Sequence, residues 1–220
     1  MRGMRKRLAL GLAAAVSLTA GSASAQTPTP NRDDTWGTVS TITAVGSLAT
    51  EAVMPRIFYS DPEVTVGWKA RWHVSTLAPV LTLTSLTLFN EFVLKDAFEA
   101  YRPGCDESNQ GGPNCQSFGS PSSHSFAAFS GLGHGTAVFL FDTTKWSNGQ
   151  FNGGSFAGHV AVPAVFSLIT AIGRGAGDYN SADQILIGGG MGLGFGFLTG
   201  MTYALMARPE CGYSGSMVCW

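Results

Sequence analysis

Charged residues are scarce and unevenly placed in this 220-residue chain, which restricts the folds open to it. Asp, Glu, Lys and Arg make up 12% of the sequence, about half the share of roughly 25% found in soluble domains. One uncharged run, residues 185–206, has 22 residues and as a helix would cross the roughly 30 Å hydrocarbon core of a membrane. Sustained alternation of apolar and polar residues, typical of β-strands, does not occur. We therefore predict an all-α helical bundle that spans a membrane, with an unusually apolar soluble bundle as the alternative.

Uncharged segments predict about five helices in this bundle. They are residues 38–50, 72–90, 124–141, 155–173 and 185–206. The last segment carries a glycine at every fourth position, so the glycines form one stripe on the helix. These glycines are Gly188, Gly192, Gly196 and Gly200. Such a stripe lets a neighbouring helix approach closely, and a homo-oligomer or a membrane complex could use it. A nucleotide loop is disfavoured because no strand precedes the glycines and no Lys-Ser or Lys-Thr follows them.

The first 25 residues have the features of an export signal. A basic start and an apolar run precede Ala23-Ser24-Ala25, a small-residue cleavage site. A first transmembrane helix is the alternative for this run. We predict a signal peptide at 1–25, a disordered mature N-terminus at 26–36, a helical domain at 37–207 and a cysteine-containing tail at 208–220. The exported chain would lie in the inner membrane with its site loops facing the periplasm, or in the periplasm itself.

Four cysteines in an exported chain favour disulfides over metal ligands. The most local of three pairings joins Cys105 with Cys115 and Cys211 with Cys219. Neither pair has Cys-x-x-Cys spacing, so we predict no metal site, and nothing in the sequence calls for a cofactor. A net charge of −1 implies no nucleic-acid partner.

Two short motifs place cations, hydroxyls and a histidine at predicted helix ends. KDAFEAYRP contains Lys95, a point charge, and Arg102, whose planar fork binds phosphate oxygens in pairs. SPSSH places Ser122 and Ser123 at a helix start, where anions bind, followed by His124, a candidate general acid. Each motif by itself also fits a structural role, as a basic helix end at a membrane surface or a serine-rich helix cap.

A third stretch, GRGAGDYNSADQ, adds Arg174 and Asp183 between the last two helices. If the N-terminus is outside, this stretch and residues 95–123 lie on the same, periplasmic side. The order of the three stretches resembles the type 2 phosphatidic acid phosphatase (PAP2) superfamily, which includes bacterial acid phosphatases and haloperoxidases, over about 95–190. The resemblance implies that Lys95, Arg102 and Arg174 hold a phosphoryl group and that His124 is the general acid. Ser122 and Ser123 would add phosphate contacts, although Ser123 stands where the family usually has glycine.

The third motif departs from the family, whose pattern is Ser-Arg-x5-His-x3-Asp. Counting six residues from Arg174 gives Asn180 in place of the attacking histidine, and Gln184 in place of the aspartate that orients it. Counting back from Asp183 gives Tyr179 and needs a one-residue deletion. We prefer this second register because QILIGGG continues as the family's helix does. Tyrosine, with a pKa of about 10, is a poor nucleophile at neutral pH without an activator.

Two functions are open on these residues. The chain could hydrolyse phosphomonoesters or lipid phosphates, with His124, Tyr179 and Asp183 as catalytic residues. Alternatively it could be an inactive relative that binds an anion or a lipid head group, or a structural subunit in the membrane. The second function follows from the missing histidine, because catalytic residues that act as a unit fail together.

Overall fold

The structure, a computed structural model, describes residues 32–58, 74–112, 114–141, 143–144 and 149–206. The predicted signal peptide at 1–25 and the tail at 208–220, with Cys211 and Cys219, lie outside the described residues. The described part of the chain is all helical in its regular structure, which confirms the all-α prediction.

Five helices form the bundle. Helix α1 is Asp34–Phe58, α2 is Val74–Phe89, α3 is Ser123–Phe141, α4 is Gly153–Ala176 and α5 is Ala182–Met206. Helix α2 continues through a π-helical segment, Asn90–Leu94, and a last turn, Lys95–Phe98. Helix α4 contains a second π-helical segment, Ala157–Ala161. The number of helices agrees with the prediction, but each helix begins or ends outside its uncharged window, since polar residues form the helix ends.

The start of α1 shows how polar residues extend a helix. Asp33 Oδ1 accepts hydrogen bonds from the backbone amides of Thr35, at 2.8 Å, and Trp36, at 3.4 Å. This is an N-cap, which satisfies amides that have no partner inside the helix. Residues 34–36 therefore form the first turn of α1, whereas the sequence had placed them in a disordered N-terminus.

Helix α5 packs along α3 through the predicted glycine stripe. Each glycine faces a backbone carbonyl of α3, and a Cβ at any of the four positions would collide with that oxygen. The facing pairs are Gly188 with Ser122, Gly192 with Phe126, Gly196 with Ser130 and Gly200 with His134. The close approach is confirmed, but it lies within one chain. The stripe therefore packs inside the bundle, and the predicted oligomer or membrane-complex contact stays a prediction.

The interior of the bundle is built from small and hydroxylated residues. Ser47 Oγ and Ser167 Oγ donate to the carbonyl of Ala128 at 2.6 and 2.9 Å, which ties α1 and α4 to α3. The hydroxyls of Thr43 and Thr170 are 2.7 Å apart and join α1 to α4. Small residues and hydroxyl bonds between helices are typical of bundles in membranes, where apolar burial does not drive helices together.

The outer surface of the bundle is largely apolar. Every helix exposes large apolar side chains, for example Ile42, Leu81, Leu140, Ile172 and Leu186. Two helical segments, Gly153–Ala176 and Ala182–Leu205, are long and apolar enough to cross a membrane, and only 33% and 28% of their most apolar windows are buried. Their apolar residues therefore face outwards more than they face the interior.

Candidate phosphate-binding site

The three sequence motifs meet at one end of the bundle, around a cavity of about 650 Å³. Five residues predicted from sequence line it: Lys95, Arg102, His124, Arg174 and Tyr179. Helix α1 completes the wall with residues that the motifs did not indicate: Asp34, Gly37, Thr38, Thr41 and Ile42. The last lining residue is Glu91, in the π-helical segment after α2. The predicted meeting of residues 95–123 and 174–184 is therefore confirmed as a spatial arrangement.

Positive charge is concentrated at this cavity. Among the residues whose side chains the structure describes, every lysine and arginine lies at or beside it: Arg32, Lys95, Arg102 and Arg174. Burial, followed by the charge of Arg32, lowers the pKa of the Arg102 guanidinium. Like charges held this close repel one another, and a bound anion would relieve the repulsion. The cavity has the electrostatic character of an anion site.

Lys95 is held by a carboxylate that the motifs did not predict. Its Nζ lies 2.5 Å from Glu91 Oε2, and Lys95 is 3% exposed. Ser123 Oγ donates to the same Glu91 oxygen at 2.5 Å, and Asn90 Nδ2 donates to Ser123 Oγ at 2.8 Å. Burial by itself raises the pKa of the Glu91 carboxyl. Hydrogen bonds from Lys95 and Ser123 and the charge of Lys95 lower the pKa by more than burial raises it, so the net shift is downward. Glu91 therefore stays ionised at neutral pH.

Arg102 is positioned by the loop that follows it. Its Nε donates to the Ser117 carbonyl at 3.0 Å and its Nη2 donates to Ser117 Oγ at 2.8 Å. The disulfide between Cys105 and Cys115 closes this loop, as predicted. The bond shortens the path from Arg102 to Ser117 and thereby limits where the guanidinium can move.

His124 begins α3 and faces α1. Its Nε2 lies 3.0 Å from Thr41 Oγ1, whose hydroxyl donates to the Gly37 carbonyl at 2.9 Å. The Thr41 oxygen is thus free to accept a hydrogen bond from the imidazole. Burial first, and then the charges of Arg174, Lys95 and Arg102, lower the pKa of His124 to about 4. The imidazole is neutral at pH 7, and an anion that offsets those cations would raise its pKa and so increase the protonated fraction that can act as a general acid.

Asn180 and Gln184, the residues of the register that needs no deletion, are joined to Arg174 by hydrogen bonds. Arg174 Nε donates to Asn180 Oδ1 at 2.9 Å, and Ser122 Oγ donates to the same oxygen at 3.2 Å. Asn180 Nδ2 donates to the Gly119 carbonyl at 2.8 Å and to Gln184 Oε1 at 3.1 Å. Asn180 and Gln184 are buried, at 4% and 2% exposure. Two amides therefore occupy the places where the family has its histidine and aspartate.

The preferred register predicted that Tyr179 and Asp183 lie together at the catalytic site. Asp183 is exposed in the first turn of α5 and is not among the residues that line the cavity. Tyr179 does line it, but its ring lies against Arg174, with the guanidinium carbon 4.3 Å from the ring centre. Asp183 therefore lies away from the cavity, and the preferred register and the catalytic roles of both residues remain predictions.

One spacing in the sequence agrees with this network. Counting back by four along the glycine stripe from Gly188 gives Gln184, so Gln184 lies on the side of α5 that faces α3, and Asn180 precedes the helix by two residues. Asp183 is one residue away from Gln184, about 100° around the helix, and points outwards. Ser122 is 1% exposed, and its hydroxyl donates to Asn180. Its predicted contact with phosphate stays a prediction.

A comparison with known protein families agrees with this arrangement. The family model described as the PAP2 superfamily matches residues 75–208, which is more than half of the chain. The chain therefore belongs to the PAP2 superfamily, as the motifs had indicated. No curated protein and no solved structure matches it.

Proposed function

We propose that this chain binds a phosphate ester in the cavity and does not hydrolyse it through a phosphohistidine. The observation that carries this proposal is the position of Asn180, six residues after Arg174, inside the hydrogen-bond network of the site. Membership of a phosphatase-like superfamily supports phosphate as the anion.

The binding half of the proposal follows from the cations. Arg102 and Arg174 each use a guanidinium nitrogen to bond the protein, at Ser117 and Asn180, and still line the cavity. Guanidinium groups that are already fixed lose little freedom when they bind a phosphate oxygen, which favours affinity.

The inactive half follows from the chemistry of an amide. The side chain of Asn180 makes four hydrogen bonds, two through Oδ1 and two through Nδ2, so its donors and acceptors are taken up inside the protein. An amide nitrogen has no basic lone pair with which to attack phosphorus, unlike an imidazole. Gln184 accepts from Asn180 and therefore completes a structural pair where the family has a catalytic one.

The surroundings of the cavity favour a phosphate carried at a membrane surface. Ile42 lines the cavity and is 65% exposed, and Phe92, next to Glu91, is 68% exposed. With α4 and α5 placed across a membrane, these side chains would contact lipid while the charged cavity meets the head-group region. A lipid phosphate and a soluble ester share the same phosphate chemistry, so the test includes both.

The test uses the full chain in detergent micelles, titrated with phenyl phosphate and with phosphatidic acid, together with an assay for released phosphate. We expect both ligands to bind the wild type without phosphate release, with binding lost in Arg102→Ala. The double variant Asn180→His/Gln184→Asp should gain measurable phosphate release. The proposal would be refuted if neither ligand bound the wild type.

One contact supports a second candidate, hydrolysis with Tyr179 as a replacement nucleophile. Its hydroxyl lies 3.5 Å from Asp34 Oδ1, a carboxylate that could accept the phenolic proton during attack on phosphorus. Phosphate release by the wild type that disappears in Tyr179→Phe, with binding retained, would establish this reaction instead.

A further inference from the structure

Glu91 occupies two groups that the PAP2 motifs assign to phosphate binding. Its Oε2 atom receives hydrogen bonds from both Lys95 Nζ and Ser123 Oγ. A carboxylate oxygen in this position stands in for one oxygen of a phosphate. Resting on the proposed function, we infer that Glu91 is a built-in competitor that makes the cavity select singly charged phosphate esters over doubly charged ones.

The geometry keeps Glu91 in this position. Glu91 and Lys95 are four residues apart where α2 changes from π-helical to α-helical, so both side chains lie on one face. Lys95 is buried and cannot follow a ligand outwards. Asn90 is 0% exposed and holds Ser123 from the other side, through the 2.8 Å bond to its hydroxyl. A phosphate that reaches Lys95 therefore meets the Glu91 charge at close range.

The formal charge of the cavity wall points to the same ligand. Lys95, Arg102 and Arg174 line it as cations, and Asp34 and Glu91 line it as carboxylates. Among these lining residues, with His124 neutral, one positive charge remains uncompensated; Arg32 lies beside the cavity and is not among them. A phosphodiester carries one negative charge and would neutralise it, whereas a monoester dianion would leave an excess negative charge next to two carboxylates. Repulsion from Glu91 grows in proportion to ligand charge, so it penalises the dianion twice as much in free energy.

The experiment compares two ligands that differ by one charge. Phenyl phosphate is a dianion at pH 8, since its second pKa is about 6, and methyl phenyl phosphate is a monoanion. Their affinities are measured by titration calorimetry for wild type, Glu91→Gln and Asp96→Asn. Asp96 is the matched control, an exposed carboxylate one residue after Lys95 that does not line the cavity.

In the wild type we expect the monoanion to bind about threefold more tightly than the dianion, because Glu91 repels the dianion more strongly. In Glu91→Gln the monoanion should gain about threefold and the dianion about tenfold, the square of that factor, because the lost repulsion scales with charge. Asp96→Asn should change neither.

A dianion affinity equal to or higher than the monoanion affinity in the wild type would overturn the inference, and this measurement does not depend on how the variant folds. Weaker binding of both ligands to Glu91→Gln would also overturn it, since Glu91 would then only position Lys95. If neither ligand binds wild type or Glu91→Gln, the proposed function itself fails, which separates the two results.

Discussion

At one end of the bundle Lys95, Arg102 and Arg174 face a single cavity, whereas deeper in the same bundle Glu51 pairs with His159. The inner pair is compact, with Glu51 Oε2 3.1 Å from His159 Nδ1 and both residues about 5% exposed. Glu51 lies ten residues beyond Thr41 on α1, which corresponds to about 15 Å along the helix. The cavity gathers cations in excess of its carboxylates, while the inner acid has a histidine as its direct partner.

The difference shows which buried charges are built for a ligand. A buried acid with a fixed hydrogen-bond partner is held by the fold and contributes mainly to how the helices fit together. Cations that repel one another around an open volume are stabilised only when an anion arrives. Separate losses are therefore expected, of stability at the inner pair and of ligand binding at the cavity.

The largest expected effect comes from breaking the inner pair. Glu51→Ala should lower the free energy of unfolding by about 3 kcal/mol, since His159 would lose its carboxylate partner inside the bundle. Denaturant unfolding in detergent measures this change, and phosphate affinity of the folded variant should stay at the wild-type value. Loss of phosphate binding without loss of stability would remove the distinction between the two regions.

The next largest effect should be a loss of phosphate affinity at the cavity with little loss of stability. Arg102→Ala is expected to weaken phosphate binding about 100-fold, or about 2.7 kcal/mol, because it removes charge-assisted hydrogen bonds to the ligand. Titration calorimetry gives the affinity, and unfolding measurements should show a much smaller change than in Glu51→Ala. Equal loss of stability in the two variants would contradict the comparison.

The loop disulfide should affect both quantities. Removing the bond between Cys105 and Cys115, which are separated by 10 residues, should cost about 2–3 kcal/mol of stability by the loop-entropy account. Phosphate affinity should also fall several-fold, since Ser117 would hold Arg102 less firmly. The double variant Cys105→Ser/Cys115→Ser tests this, and an unchanged affinity would show that the loop does not position Arg102.

The smallest effect concerns pH. The pKa of His124 is lowered in the folded chain to about 4 from 6.5, chiefly by burial and then by Arg174, Lys95 and Arg102. The unfolded chain therefore binds a proton that the folded chain resists, so stability is full above about pH 6.5 and declines as pH falls towards 4. Melting temperatures across this range should fall less for His124→Gln. Saturating phosphate should reduce the decline in the wild type, and an identical decline in both proteins would exclude His124 as its source.

Much of the site was visible in short spacings. Lys95 and Arg102 with a proline after it, and His124 after two serines, identified the superfamily and the end of the bundle where the motifs meet. Glu91 escaped notice although it stands four residues before Lys95, because the motif begins at the lysine. Asp34 and Thr41 on α1 could not be found in this way, since their helix is distant in sequence and enters the site only through packing.

What the sequence by itself determined is the all-helical class, the superfamily and the absence of histidine from the third motif, and it offered the Cys105–Cys115 bond as the most local of three pairings. These depend on composition and on residue types at short range, which a chain carries in any conformation. Only the tertiary structure decided that Asn180 and Gln184 are buried in one hydrogen-bond network beside the cavity, whereas Asp183 is exposed and Tyr179 lines the cavity against Arg174. The rotation of α5 is set by its glycine stripe against α3, and a one-residue change of register turns a helix by about 100°. The same packing brings Glu91 to Ser123, because contacts between the end of α2 and the start of α3 are made by the folded bundle alone, whereas the contact of Glu91 with Lys95 follows from their spacing of four residues.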